Sequence, residues 1–196
     1  MSSTAQSFSP LASVVFLCVP ALKGKPVAEQ SQVRGALEAA AQAACDTLKE
    51  ADRLVLDAPQ GMLLVILASP HAALLAAQRA LTAASAASCG VSINHGPVTA
   101  STGPAGDARI IGDAIDAALS FGTKTAPGSL VISRAFRDAL DKSSPDDLTA
   151  FLPAGIYTDE QVRSHELFVH HTGEKQAAGR RLWLVTALAC SAIIAG

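Results

Sequence analysis

The pattern of apolar and polar positions predicts alternating strands and helices in the first half of the chain. Residues 13–19 form a short apolar run rich in β-branched side chains, which predicts a buried strand. Residues 27–48 are rich in Ala, Gln, Glu and Leu with apolar positions at three-to-four spacing, which predicts a long helix. Two further apolar segments, residues 53–56 and 62–67, flank a turn with Pro59 and Gly61 and predict a β-hairpin.

The rest of the chain continues the alternation. A second helix is predicted over residues 70–87, followed by a strand over 91–93 and an exposed Gly-, Pro-, Ser- and Thr-rich connection over 96–106. Further elements are a helix over 113–121, a strand over 130–132, a helix over 134–140, a solvated loop over 142–147 and a last strand over 166–170. The order β, α, β, β, α, β, then α and β, predicts an α+β fold with a ferredoxin-like (split βαβ) antiparallel sheet flanked by helices.

Composition and charge narrow the classes of function. The chain has 196 residues, 49% of them hydrophobic, so it can hold one domain with a sizeable core. Its net charge is −2 and its basic residues are scattered apart from Arg180 and Arg181. Because binding to nucleic acid needs a basic stripe, we expect no nucleic-acid partner.

The cysteines and histidines do not predict a metal site. The four cysteines are far apart and form no CxxC pair, which argues against zinc and against a secreted disulfide framework. Two of the five histidines, His170 and His171, are consecutive in a strand-like run and would face opposite sides of a sheet. We therefore expect no metal and no cofactor. The cysteines and histidines that could have served as metal ligands are Cys18, Cys45, Cys89, Cys190, His71, His95, His165, His170 and His171.

The two ends of the chain differ from its middle. Residues 1–12 predict a disordered leader, residues 13–171 the domain, and residues 172–181 a polar linker. Residues 182–196 are apolar all round and uncharged, and they follow Arg180 and Arg181. We interpret them as the start of a transmembrane helix with its positive flank on the cytoplasmic side. The alternative is a buried terminal helix.

Three segments carry a resemblance to a known family. Residues 91–100 read VSINHGPVTA, residues 109–116 read RIIGDAID, and residues 126–133 read APGSLVIS. In this order and at this spacing they resemble the catalytic domains of class III adenylyl and guanylyl cyclases. The resemblance covers about residues 14–140 and implies a ferredoxin-like core. It also implies ring closure of a nucleoside triphosphate by two metal ions held by a pair of aspartates.

The resemblance places uncharged residues at the two metal positions. The first aspartate of the family corresponds to Cys18, and no Asp or Glu occurs anywhere in residues 1–28. The second aspartate, in the family's hairpin turn, corresponds to Gln60. Divalent cations prefer anionic oxygen ligands, so both metal anchors are missing. Asp57 could replace one of them only if the hairpin shifted its register.

The other catalytic positions have changed as well. The base-reading lysine corresponds to Leu56 and its Asp or Thr partner to Arg109. The asparagine and arginine that steady the ribose and the triphosphate correspond to Asp116 and Ser120. Asp113 matches the family and belongs to its scaffold. The resemblance therefore implies a cyclase homology domain without catalytic residues.

Three functions remain open at this point. The first is an inactive domain that serves as a dimerisation and signalling module, pairing with itself or with a cyclase-like protein at the cytoplasmic face of a membrane. The second is a sensor of a small anion or nucleotide, with Arg109 and Lys124 as candidate contacts. The third is a working cyclase with non-standard residues.

Overall fold

The computed structural model describes residues 9–102 and 108–171. This part of the chain contains four α-helices and nine strands, with 3-10 turns at Leu22–Gly24, Glu50–Asp52, Ser85–Ala87 and Pro145–Ala150. The elements in chain order are β1 (Leu11–Cys18), α1 (Val27–Cys45), β2 (Arg53–Ala58), β3 (Gly61–Ile66), α2 (Pro70–Ala83), β4 (Gly90–Pro97), β5 (Thr99–Thr102), β6 (Ala108–Ile111), α3 (Asp113–Gly122), β7 (Leu130–Ser133), α4 (Arg134–Ser143), β8 (Phe151–Thr158) and β9 (Ser164–His170).

Seven strands form one sheet in the order β2-β3-β1-β4-β7-β9-β8. Strands β2, β3, β1 and β4 are antiparallel throughout and arise from the sequence β1-α1-β2-β3-α2-β4, so this part is the predicted split βαβ unit. The sheet as a whole is mixed, because β7 runs parallel to β4. The prediction of an antiparallel sheet is wrong at this pair. Parallel neighbours need a crossover connection, which α3 supplies here.

The structure contains two hairpins that the sequence did not predict. Strand β5 lies in the segment 96–106, which was expected to be an exposed connection, and it pairs with β6, which begins after that segment. The edge strand β8 was not predicted, since it contains Pro153 and an irregularity at Gly155. Proline is tolerated in an edge strand because its missing N–H would otherwise point to solvent. Part of the predicted loop 142–147 belongs to the 3-10 turn Pro145–Ala150.

The sheet has two covered faces. Helices α1, α2 and α4 pack on one, here called the α1 face, and α3 packs on the other, the α3 face. Alternation along β1 sends Val15 and Leu17 into the core under the α1 face, and Val14, Phe16 and Cys18 into the core under the α3 face. Strand β1 is therefore buried on both sides.

Helix α3 packs closely on strand β4. Ser92 Oγ donates to the Ala118 carbonyl at 3.0 Å, and Asn94 Nδ2 donates to the Ala114 carbonyl at 3.1 Å. A Cβ on Gly122 would lie 2.4 Å from Ser92 Oγ, so only glycine fits there. Small residues at i, i+4 and i+8 thus fix α3 on the sheet.

The chain ends bear on the domain boundaries. Strand β1 begins at Leu11, two residues before the predicted start, and Ala12 is buried. No helix within residues 9–102 and 108–171 is long and apolar enough to cross a membrane. Residues 1–8 of the predicted leader, the predicted linker 172–181 and the predicted membrane segment 182–196 lie outside the described residues.

Candidate functional site

The carboxyl end of β1 lies against the turn of the β2-β3 hairpin. Cys18 is opposite Gly61, and the backbone N–H of Val19 donates to the Gln60 carbonyl at 2.9 Å. A Cβ on Gly61 would lie 1.7 Å from the carbonyl oxygen of Leu17, so this close approach requires glycine. The structure therefore brings the two sequence-predicted metal positions, Cys18 and Gln60, next to each other.

Neither position offers the anionic oxygen that a divalent cation prefers. The Cys18 side chain is fully buried, and this burial raises the pKa of its thiol to about 11. Gln60 is half-buried and carries a neutral amide. In the part of the chain that the structure describes, no group of three or more His, Cys, Asp or Glu side chains could hold a metal ion. The residues present do not fit the two-metal chemistry that the resemblance implies.

Asp57 lies on the opposite side of the sheet from Cys18. It is paired with Met62, whose side chain belongs to the core under the α1 face. Its carboxylate oxygen lies 3.5 Å from the Arg34 guanidinium of α1. Moving it to the α3 face would need a one-residue slip of β2. In this register Asp57 cannot replace either metal aspartate.

The remaining sequence-predicted positions lie on or near α3. Leu56 packs into the same apolar core as Cys18, below α3. Asp116 is exposed, and the Ser120 hydroxyl lies 3.1 Å from the Tyr157 hydroxyl of β8. Lys124 is exposed just beyond the end of α3.

Arg109 is placed only by its backbone, which pairs with Ser101 in the β5-β6 hairpin; its side chain lies outside what the structure describes. The proposed roles of Arg109 and Lys124 as anion contacts stay predictions.

A cluster of charged residues that sequence reasoning missed stands at the turn between β8 and β9. The buried carboxylate of Asp159 accepts hydrogen bonds from the backbone N–H groups of Gln161 and Arg163 at 3.0 and 2.8 Å. It also accepts from Arg163 Nε at 2.7 Å and lies 3.0 Å from His165 Nε2. The same Arg163 guanidinium reaches Asp113, at the first turn of α3, at 3.2 Å.

Electrostatics keep this carboxyl ionised. Burial by itself raises the pKa of Asp159, but the hydrogen bonds from His165 and Arg163 outweigh burial and hold the pKa well below its usual range. Through Arg163, which contacts both Asp159 and Asp113, the cluster attaches the β8-β9 turn to α3. The spacing Asp-x-x-x-Arg-x-His could have suggested it, had the hairpin been predicted.

The fold is similar to those of solved cyclase domains. A guanylate cyclase domain of RhGC from Catenaria anguillulae superposes with a TM-score of 0.61 at 14% identity, covering 83% of this chain and 97% of that one. The adenylyl cyclase CyaB from P. aeruginosa gives a TM-score of 0.60 at 8% identity, with 86% and 97% covered. A non-canonical dimeric guanylyl cyclase domain from Blastocladiella emersonii gives 0.56 at 13% identity, with 85% and 98% covered.

No protein-family model and no curated protein sequence matches the chain. Identities this low carry information about the fold and not about the chemistry. Many solved cyclases share the architecture over most of the chain's length. The chain has the fold of the catalytic domains of class III adenylyl and guanylyl cyclases.

Proposed function

We propose that this chain is a catalytically inactive cyclase homology domain that serves as a dimerisation and signalling module. In this proposal residues 182–196 anchor it to a membrane and the domain lies on the cytoplasmic side. The fold supplies a rigid scaffold, and the exchange of the catalytic residues leaves that scaffold free for contacts with a second chain.

One observation carries the proposal of inactivity. Cys18 and Gln60 stand side by side where the resemblance expects two carboxylates, and the nearby Asp57 faces the other side of the sheet. A neutral thiol and a neutral amide do not replace two anions that hold divalent cations. Without the metal ions, the activation free energy of ring closure would be higher by several kcal/mol.

The proposal of dimerisation is supported by apolar side chains left open at one edge of the sheet. Leu54, Val55 and Leu67 are 37%, 39% and 45% exposed on or next to the β2-β3 hairpin. An apolar group of this kind is commonly covered by a partner. The related fold from Blastocladiella emersonii is itself described as dimeric.

An enzymatic assay tests inactivity. The full chain, purified in mild detergent, is incubated with ATP or GTP and with Mg²⁺ or Mn²⁺, and the products are measured by mass spectrometry. We expect no cyclic AMP or cyclic GMP, whereas P. aeruginosa CyaB under the same conditions provides the positive control for cyclic AMP. Turnover that disappears in the Asp57→Asn or Asp116→Asn variant would show that the chain is a working cyclase.

Calorimetric titration with ATP and GTP separates the module from the sensor. We expect a flat titration, because one exposed charge pair contributes about 1 kcal/mol at most, whereas micromolar affinity requires about 8 kcal/mol. A micromolar signal that is lost in Arg109→Ala or Lys124→Ala would instead identify a sensor of anions.

A further inference from the structure

The outer edge of β2 is open to another strand. All six residues of β2 pair with β3 on one side, and no described strand pairs with the other side. The opposite edge of the sheet, β8, carries Pro153 and an irregularity at Gly155, which are features that block strand addition. Strand β2 has no proline, no lysine and no bulge, so its backbone can accept a partner strand.

Strand β2 presents exposed apolar side chains on both of its faces. Leu54 is opposite Val65 and lies on the α3 face, and Val55 is opposite Leu64 and lies on the α1 face. Both are more than one-third exposed. An unpaired edge with exposed apolar side chains gains stability when a second strand covers it.

The five residues from Arg53 to Asp57 read Arg-Leu-Val-Leu-Asp and are complementary to themselves in reverse. We propose that β2 pairs in antiparallel register with β2 of a second copy, about a twofold axis at Val55. Val55 then faces the partner's Val55, and Leu54 faces the partner's Leu56. Arg53 faces the partner's Asp57, so two pairs of opposite charge flank an apolar centre. The two sheets join into one.

The charges select this arrangement over its competitors. A parallel pairing places Arg53 beside the partner's Arg53, and like charges directly opposite destabilise a sheet. A shift of one residue brings Leu54 opposite the partner's Asp57, so an apolar side chain faces a charge and the pairs of opposite charge are lost. Within the described residues no ion pair joins the Arg53 guanidinium to another group, and Asp57 is 80% exposed with only Arg34 nearby. Both charges are therefore available to a partner.

This inference rests on the proposed dimerisation and specifies its interface. It is tested with the two charge reversals R53D and D57R and with K23D, a matched reversal at an exposed lysine in another part of the chain. Each full chain is studied by sedimentation velocity in a density-matched detergent. In R53D every interfacial charge is negative, and in D57R every one is positive. In a mixture of R53D with D57R each positive position faces a negative one.

We expect the wild type and K23D to dimerise alike. For R53D alone and for D57R alone we expect the dissociation constant to rise by about tenfold or more, because two attractive pairs become two repulsive ones. The equimolar mixture should restore dimers that contain one of each chain, and this result cannot come from misfolding. If both variants and the wild type dimerise equally, the β2 pairing is refuted while the module stands. If the wild type and the mixture both remain monomeric, proposed dimerisation and β2 pairing are refuted together.

Discussion

The substitution Asn94→Ala tests how the domain is held together at the junction of three elements. Asn94 of β4 is 6% exposed. Its Nδ2 donates to the Ala114 carbonyl of α3 at 3.1 Å, and its Oδ1 accepts from Ser133 Oγ at 2.6 Å. Ser133 Oγ in turn accepts from the backbone N–H of Phe136 and so caps α4. One amide thus connects β4, α3 and the start of α4.

The size of the effect follows from these contacts. Removal of the Asn94 amide eliminates two buried hydrogen bonds, each contributing about 1 kcal/mol. It also leaves the buried Ser133 hydroxyl without its acceptor, which costs about a further 1–2 kcal/mol. We expect Asn94→Ala to lower the free energy of unfolding by about 3–4 kcal/mol. Ser92→Ala, the control, loses one hydrogen bond to α3 and should cost about 1 kcal/mol.

Urea unfolding followed by far-UV circular dichroism measures these differences, and a double-mutant cycle isolates the contact. Ser133→Ala should cost about 2–3 kcal/mol, since it removes the cap of α4 and leaves Asn94 Oδ1 without a donor. In the double variant neither Asn94 Oδ1 nor Ser133 Oγ remains to be left without the other, so we expect a coupling energy of about 1 kcal/mol or more. If the costs of Asn94→Ala and Ser133→Ala add to within about 0.5 kcal/mol, the connection is not energetic and the reasoning fails.

Two further predictions concern the β8-β9 turn. Val162 has φ 62° and is 81% exposed, so this β-branched residue occupies the left-handed region without packing in return. Val162→Asn should therefore raise the free energy of unfolding by about 1 kcal/mol, and Val162→Thr, which stays β-branched, should not; equal values in urea unfolding would contradict this. Asp159 has a lowered pKa, so its stabilising contribution is complete above the ordinary carboxyl pKa of about 4 and is lost as the pH falls further. In an acid titration, the free energy of unfolding should fall less below pH 4 in Asp159→Asn than in the wild type. Asp147→Asn serves as a comparison, because the pKa of Asp147 is also lowered: its hydrogen bond with His71 outweighs the effect of burial. Identical losses of stability below pH 4 in Asp159→Asn and the wild type would show that Asp159 is not stabilised by its partners.

The sequence predicted those elements whose signals are local. The hairpin around Pro59 and Gly61 and the strand that became β1 were found because period and turn residues lie within a few positions of each other. Strand β8 was missed because Pro153 and Gly155 argue against a strand unless the strand is known to lie at an edge. Being at an edge is a property of the sheet and cannot be read from β8 itself. The parallel pairing of β7 with β4 was missed for the same reason, because the direction of a neighbouring strand is a property of the sheet and not of β7 itself.

The candidate site likewise contains one feature that the sequence could predict and one that it could not. The adjacency of Cys18 and Gln60 could be inferred, because the resemblance fixes both positions and a strand beside a hairpin fixes their distance. The Asp159 cluster could not, since it depends on where β9 returns and on α3 lying within reach of Arg163. The face of Asp57 follows from strand alternation once the register with β3 is known.

The uncharged residues at the positions that the resemblance aligns with catalytic ones support one another physically. Cys18 and Leu56 share an apolar core with Phe16 and Leu63 under α3. The Gln60 carbonyl accepts a hydrogen bond from the Val19 N–H at the same end of the sheet. A carboxylate in such a core is costly unless a cation or a hydrogen-bond donor compensates it. Within the described residues no metal-binding cluster offers that compensation. A thiol and a leucine need none, so a single substitution to a charged residue would remove stability without creating a metal site, and creating one would require several changes at once.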